Sequence, residues 1–156
     1  MKISVVTGIV FAFFLSGCAT QYNNGKMGAT GGVEAQFITN DTARISSRGN
    51  AFTDRTRIFE FVLLKAAETA VENGYTHFAI IESADASKMG SITTPGSAQT
   101  SIYGNTAYTT YSPGSTTNYI KPGQDTLVRF CKGQCPGMMR ASEVISNLGS
   151  KYHTTG

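Results

Sequence analysis

The stretch GNAFTDRTRIFEFVLLKAAETAVENGYTHFAIIE, residues 49–82, carries the strongest structural signals of the chain. Its middle predicts an amphipathic helix, because most of its apolar residues recur on one side of a helical wheel. These residues are Ile58, Phe59, Val62, Leu63, Ala66 and Ala70. Thr53 or Asp54 can cap the first turn of this helix, and Gly74 can end it. Residues 75–82 then predict a strand that is buried on both faces, so we expect this helix to pack on a sheet.

Phe61 and Leu64 do not fit this helical pattern, since they lie on the side that carries the charged residues. An exposed apolar spot at this place could bind a partner protein. Alternatively, another element of the same fold covers both side chains, and single apolar residues on a surface are in any case common. Cover by another element is the simpler interpretation, and we keep both residues as candidates for partner binding.

Weaker signals on both sides of this stretch predict a single α+β domain over residues 33–149. Further strands are predicted at residues 36–38, 42–48 and 125–131. A second helix is predicted by four apolar residues at helical spacing, and Gly149 should end it. These four are Ala141, Val144, Ile145 and Leu148. We therefore expect a three- or four-stranded, largely antiparallel sheet with two helices packed on one face, followed by a tail at residues 150–156.

Residues 84–123 form a long insertion into this domain, with a composition that changes to mainly Ser, Thr, Gly and Tyr. The segment is too long for an ordinary connection between elements. It is therefore either flexible and disordered or a protruding β-hairpin with arms near residues 101–103 and 107–111. Its tyrosines could form a partner-binding surface, because tyrosine is enriched at protein interfaces, or they could be incidental residues of a solvated linker. These tyrosines are Tyr103, Tyr108, Tyr111 and Tyr119.

The amino terminus resembles the signal of a bacterial lipoprotein. Lys2 is followed by an uncharged, mostly apolar run, and Leu15-Ser16-Gly17-Cys18 matches the processing motif of such proteins. The run is too short for a transmembrane helix, which needs roughly 20 apolar residues. The resemblance implies removal of residues 1–17, acylation of Cys18 and attachment to a lipid bilayer. An ordinary secretory signal is the alternative.

The residues after Cys18 predict where the protein is held and how. Ala19 stands where an Asp would imply retention in the inner membrane, so the analogy with enterobacterial lipoproteins implies the periplasmic face of the outer membrane. Residues 18–32 show no apolar periodicity and reach Gly31-Gly32 at their end. We therefore expect a lipidated cysteine followed by a flexible tether.

Cys131 and Cys135 remain as a pair once Cys18 is assigned to lipid. In an oxidising compartment such a pair favours a structural disulfide. A redox-active pair and half of a metal site are the alternatives. Redox motifs favour two intervening residues instead of three, and zinc needs four ligands, whereas the mature chain adds only His77 and His153.

Three motifs resemble the core of a family of small bacterial lipoproteins of unknown function. The family pattern is G-N-x-[FY]-T, then L-[KR]-A-A-E, then G-[YF]-x-x-F. The matching residues are Gly49-Asn50-Ala51-Phe52-Thr53, Leu64-Lys65-Ala66-Ala67-Glu68 and Gly74-Tyr75-Thr76-His77-Phe78. The resemblance covers about residues 31–82 and implies only the fold and an envelope location. The motif residues also have structural explanations, such as backbone conformation at Gly49 and Gly74 and helix capping by Thr53.

Composition and motifs argue against several classes of function, but they do not identify a reaction. The formal net charge is +3 and the basic residues are scattered, which argues against a nucleic-acid-binding surface. The mature chain carries no nucleophile elbow, phosphate loop, metal-ligand set or paired-carboxylate motif, so we expect no catalytic residue, cofactor or metal. We expect a binding or structural module of the cell envelope with another envelope protein as partner. The alternatives are a redox or stress sensor that uses Cys131 and Cys135, and a hydrolase that gathers His77, Glu82 or Asp125.

Overall fold

The computed structural model describes residues 19–22 and 27–153, and the predicted acylation site Cys18 lies outside the described residues. The strands are β1 (Gly32–Phe37), β2 (Thr42–Arg48), β3 (His77–Asp85), β4 (Lys88–Thr94), β5 (Ser97–Tyr103), β6 (Thr106–Ser112), β7 (Ser115–Lys121), β8 (Gly123–Cys131) and β9 (Met139–Arg140). The helices are α1 (Arg55–Glu72), α2 (Ala141–Val144) and α3 (Ser150–Tyr152), with a π-helical turn at Ile145–Gly149 between α2 and α3. We call residues 141–152 the C-terminal helical segment. No helix within the described residues has the length and apolar character needed to cross a membrane.

A five-stranded antiparallel sheet in the order β1-β2-β8-β3-β9 forms the base of the domain. This architecture confirms the predicted α+β class. Four of the five strands overlap predicted segments, and β9 is the addition, since Met139 and Arg140 pair with Phe78 and His77 at the sheet edge. A strand of two residues has no alternation that a sequence could display, which explains why the sheet contains one strand more than expected.

Helix α1 lies on the sheet and both of its ends are capped. Asp54 is the N-cap, because its carboxylate accepts hydrogen bonds from the backbone N–H groups of Thr56 and Arg57. At the other end, Gly74 adopts a φ of +73°, and the N–H of Tyr75 donates to the carbonyl of Ala70 at 2.8 Å. This is the Schellman arrangement, which explains why glycine stands there.

Phe61 and Leu64 are fully buried, which confirms that other elements of the fold cover them and shows that the alternative role in binding a partner is wrong. The helix is covered on two sides, by the sheet and by the C-terminal helical segment with part of the amino-terminal chain. The Phe61 ring lies 5.0 Å from the ring of Tyr152 and 5.3 Å from that of Tyr22. Phe59, which was expected to face the sheet, is instead 40 % exposed.

Strand β3 is buried on one face only, which corrects the prediction that both of its faces are covered. Phe78 faces α1 and is fully buried, whereas Ile81 is 49 % exposed. A bulge between Ile80 and Glu82 shifts the register against β8. The outer face of the sheet therefore stays open to solvent at this strand, within the part of the chain that the structure describes.

The second helix continues beyond Gly149, contrary to the expected stop and to the expected tail at residues 150–156. Gly149 has a φ of −59° and a ψ of −45°, an ordinary right-handed helical conformation. The chain therefore runs on through α3 and brings Tyr152 and His153 against α1. Residues 154–156 lie outside the described residues.

The predicted flexible tether over residues 18–32 is also wrong where the structure describes it. Thr20 is only 2 % exposed, and Tyr22 packs its ring against Phe61. Gly28 and Gly31 exchange backbone hydrogen bonds of 3.0 and 3.1 Å in a tight turn just before β1. Hydroxyl groups and a single aromatic ring make these contacts. Hydrophobic periodicity does not predict such contacts, because the segment has few apolar residues.

Residues 84–123 form a β-hairpin and not a disordered linker. β4 pairs with β7, and β5 pairs with β6 farther out, so the hairpin consists of two ladders in series. Pro95-Gly96 faces Pro113-Gly114 between the two ladders. A Cβ atom on Gly96 would lie 2.9 Å from the backbone nitrogen of Gly114, and glycine therefore permits the close approach of the two backbones. We call residues 88–121 the arm.

Candidate functional site

The arm is the principal candidate for a binding surface, because it is exposed along its length and carries no charge between its ends. Residues 89–120 contain no Asp, Glu, Lys, Arg or His. Seven large apolar or aromatic side chains of the arm are more than half exposed. They are Met89, Ile92, Ile102, Tyr103, Tyr108, Tyr111 and Ile120. Such a run of exposed, uncharged side chains on one element is a feature of interaction surfaces.

The structure distributes the four candidate tyrosines over different parts of the arm. Tyr103 and Tyr108 lie on the same face of the outer ladder, with ring centroids 6.5 Å apart. Tyr111 is paired with Ala98 and lies on the opposite face. Tyr119 belongs to the inner ladder, where its ring covers Gly90 and is only partly exposed. The four residues thus do not form a single patch, and both faces of the outer ladder present tyrosine.

The edges of the arm are a second feature that favours binding. Within the described residues each arm strand pairs with one neighbour only, so its outer edge carries unpaired backbone N–H and C=O groups. Natural proteins commonly protect such edges with charged residues or proline. Here Lys88 and Lys121 stand at the root, and Pro95 and Pro113 stand between the ladders. The interiors of the four strands contain no charged residue and no proline, so their outer edges can accept a further strand.

Hydrogen bonds join the two chains at the root of the arm, next to the sheet. The backbone N–H of Ala86 donates to the carbonyl of Gly123 at 2.9 Å, and the N–H of Gly123 donates to the Ser87 hydroxyl at 3.2 Å. Arg55 and Asp85 line a cavity of about 230 Å³ beside the root. Their charged groups lie 3.4 Å apart and neutralise each other, so this cavity offers no free charge that would select a ligand.

A second feature is a cluster of hydrogen bonds around Thr20, which we call the Thr20 clamp. The N–H of Thr20 donates to the Thr53 hydroxyl at 3.0 Å, and the N–H of Asn50 donates to the Thr20 hydroxyl at 3.0 Å. The Thr20 hydroxyl in turn donates to the carbonyl of Thr30 at 2.7 Å. Thr53 therefore binds the chain that follows Cys18, and of the two predicted cap residues it is Asp54 that caps α1.

Two glutamates of α1 bind both ends of the described chain. The Tyr22 hydroxyl donates to Glu68 at 2.5 Å, and Nε2 of His153 lies 2.7 Å from the other oxygen of the same carboxylate. Burial and then the Glu68 carboxylate raise the pKa of Tyr22 above its ordinary value. Glu60 accepts hydrogen bonds from Lys151 at 2.7 Å and from Tyr152.

The charges around Glu60 favour its ionised form. Burial acts to raise the pKa of Glu60, but the hydrogen bonds from Lys151 and Tyr152 outweigh it and hold the pKa below its ordinary value. The hydrogen bond to Glu60 correspondingly raises the pKa of Lys151. These contacts fasten the C-terminal helical segment to α1, and they indicate a structural role for this carboxylate.

Two residues of the hydrolase hypothesis, His77 and Asp125, lie far apart. His77 begins β3 and pairs with Cys131, whereas Asp125 pairs with Ala84 near the opposite end of that strand. Seven residues of strand separate the two positions by about 23 Å. Asp125 is also bound to Arg48 at 2.9 Å, and this contact holds the pKa of the carboxyl below its usual range. A site that brings His77 together with Asp125 is therefore excluded.

Cys131 and Cys135 are joined in a disulfide with their Cα atoms 6.4 Å apart. Gly133 lies within the loop that the disulfide closes and has a φ of +87°. The hydroxyl of Thr76 accepts a hydrogen bond from the N–H of Gly133 at 3.1 Å and so ties the loop to the start of β3. Cys135 is buried. The disulfide thus lies at the end of the sheet that is farthest from the root of the arm.

Comparison of the chain with models of protein families, with curated proteins and with solved structures finds no match. The resemblance to a lipoprotein family therefore stays a prediction. Sequence reasoning missed the residues that fasten the chain ends, namely Thr20, Tyr22, Glu60, Glu68, Tyr152 and His153. Two signals in the sequence pointed to this region, the G-N-x-F-T motif with Thr53 and the L-[KR]-A-A-E motif with Glu68.

Proposed function

We propose that the protein is an acylated lipoprotein of the cell envelope that binds another envelope protein through its arm. In this proposal Cys18 carries the lipid and Ala19 directs the protein to the periplasmic face of the outer membrane. Its role is binding or structural, and not catalytic. The observation that carries the proposal is the arm itself, an exposed hairpin whose residues 89–120 are free of charge.

The chemistry of the arm favours pairing with a β-strand of a partner protein. A strand added to an exposed edge gains main-chain hydrogen bonds, and the side chains that alternate along it supply specificity. Tyr103 and Tyr108 on one face and Tyr111 on the other would then contact the partner on both sides of the added strand. Tyrosine is suited to this role, because it brings a large apolar ring together with a hydroxyl group.

A lipid partner is less favourable for the arm than a protein partner. A two-stranded ribbon exposes backbone N–H and C=O groups on both outer edges, and each unpaired group in hydrocarbon costs several kcal/mol. The strand interiors are also rich in serine and threonine. These groups find hydrogen-bond partners on another protein and not among acyl chains.

The test uses a photo-crosslinking amino acid placed in the arm of the full-length protein in its native envelope. We expect adducts with one envelope protein from positions Tyr108 and Tyr111, and none from the exposed Phe59 on α1. Ala98→Lys places a charge in the uncharged arm and should reduce the adducts at least several-fold, whereas the matched Ala98→Ser should retain them. Equal adducts from both Ala98 variants, or adducts that contain only lipid, would contradict the proposed function of the arm.

A second variant shows whether the arm is needed at all. Residues 89–120 are replaced by Asn-Gly, so that the paired Lys88 and Lys121 are joined by a two-residue turn. A shorter variant replaces only residues 95–114 by the same two-residue turn. It removes the outer ladder, keeps the inner one and joins the paired Thr94 and Ser115. We expect complexes with the crosslinked partner to be lost in the first variant. Retention of the complex without the arm would show that another surface binds the partner.

The anchor is tested separately by metabolic labelling with radioactive palmitate. Cys18→Ala should abolish the label and release the protein from the membrane fraction. The double variant Cys131→Ala, Cys135→Ala should keep the label, because its disulfide lies outside the acylation motif. Labelling that survives in Cys18→Ala would refute the anchor and leave the test of the arm unaffected.

A further inference from the structure

We infer that the surface around the Thr20 clamp faces the lipid bilayer and that the ring of Phe52 inserts into the headgroup region. This inference rests on the proposed acylation of Cys18. It adds an orientation of the domain on the membrane, and it names the side chain that contacts lipid.

The first step is the short distance between the anchor and the folded domain. Cys18 precedes Thr20 by two residues, and an extended chain spans at most about 3.6 Å per residue, so their Cα atoms lie within about 7 Å of each other. Thr20 is held in the domain by Thr53, Asn50 and Thr30. Acyl chains on the sulfur of Cys18 therefore place the clamp at the bilayer surface, whatever path the two residues take.

The second step is the exposure of Phe52 in the loop that forms the clamp. Its side chain is 70 % exposed, although its loop is fixed on both sides. The N–H of Phe52 donates to the side-chain oxygen of Asn50 at 3.0 Å, and the next residue, Thr53, binds Thr20. The loop thus holds an exposed aromatic residue beside the clamp, and aromatic rings are common on surfaces that lie at a membrane interface.

The surroundings of the clamp fit a membrane surface. Met27 and Ala29 precede Thr30, whose carbonyl binds Thr20, and both are exposed. They line a groove together with Lys88 and Lys121 at the root of the arm. Apolar side chains beside lysines match a bilayer with anionic headgroups, since such a surface attracts lysine side chains.

The test exploits the absence of tryptophan from the chain. The acylated full-length protein is placed in vesicles of phosphatidylethanolamine and phosphatidylglycerol that contain a lipid brominated in its acyl chains. A single tryptophan is introduced by Phe52→Trp or, as the matched control, by Ile38→Trp. Ile38 is 57 % exposed and follows β1, which carries the chain about 20 Å away from the clamp at 3.3 Å per residue.

We expect brominated lipid to quench the fluorescence of the tryptophan at position 52 and to leave that at position 38 unchanged. The clamp is then weakened in the Phe52→Trp protein by Thr53→Val, with Thr53→Ser as the variant that keeps the hydroxyl. Quenching should fall in the valine variant and persist in the serine variant, because valine cannot accept the hydrogen bond from the N–H of Thr20.

The outcomes separate this inference from the function on which it rests. If Cys18 carries palmitate and position 52 is not quenched, or is quenched no more than position 38, the proposed orientation is wrong and the lipoprotein assignment stands. If Cys18 carries no acyl chain, the lipoprotein assignment and the orientation both fail. The comparison of positions 52 and 38 does not depend on the Thr53 variants, so it decides the question even if the valine variant fails to fold.

Discussion

At the scale of single residues, Glu60 and Glu68 show how charged groups on a helix can join distant parts of a chain. Glu68 binds Tyr22 and His153, and Glu60 binds Lys151 and Tyr152. Both glutamates belong to the charged side of α1. The structure uses them because a carboxylate can accept several hydrogen bonds at once, and such charge-assisted bonds are stronger than neutral ones.

Glu60 should make the stability of the protein depend on pH in a defined direction. Its pKa is lowered in the folded protein, so its contribution is complete above the ordinary glutamate pKa of about 4.3 and is lost as the pH falls through the folded value. Glu60→Gln should therefore destabilise the protein near neutral pH and lose this effect in acid. Urea unfolding of both proteins over a pH series measures the difference. A difference that stays constant from pH 7 to pH 3 would contradict the prediction.

At the scale of elements, the orientation of α1 is decided by two layers that cover it. The helical wheel predicts that Phe59 is buried in the core and that Phe61 lies on the charged side. The structure instead buries Phe61 between Tyr22 and Tyr152 and leaves Phe59 40 % exposed. A helical wheel predicts burial on the assumption that a helix has one buried side. This assumption fails for a helix that packs against a sheet and a second helical segment at the same time.

The pair Phe61→Ala and Phe59→Ala tests this orientation. The first removes a fully buried ring and should lower the free energy of unfolding by about 3–5 kcal/mol. The second should lower it far less, because much of that ring is already in water. Chemical denaturation of the two variants at neutral pH gives both values. Equal losses would show that α1 is rotated from the orientation described.

At the scale of the whole molecule, the anchor and the arm meet at one end of the domain. One groove is lined by Lys88 and Lys121 at the root of the arm and by Gly31 and Gly49, which are the chain neighbours of the clamp residues Thr30 and Asn50. The disulfide closes the other end, because β8 runs from Gly123 at the root to Cys131. The domain is thus polarised, with the proposed membrane and partner contacts at the end opposite the disulfide.

The arm and the domain should differ sharply in local stability. The strands of the arm pair with one another and lie in solvent, whereas β8 is paired on both sides and covered by α1. Segments with few buried contacts open without unfolding of the core. Hydrogen exchange followed by mass spectrometry should therefore show the amides of β5 and β6 exchanging many times faster than those of β8. Equal protection in the free protein would indicate that the arm packs against another surface.

The sequence by itself determined the local elements of this protein. Periodicity and turn residues give the ends of α1, the strands β2, β3 and β8 and the α+β class. The number of cysteines favours the pairing of Cys131 with Cys135. Only the tertiary structure decided which side chains are buried and where the chain ends lie. Thr20 contacts Thr53, Tyr22 contacts Glu68, and Tyr152 contacts Phe61. Each of these contacts joins residues far apart in the chain, and a local pattern cannot encode them because their energy arises only when the elements pack together.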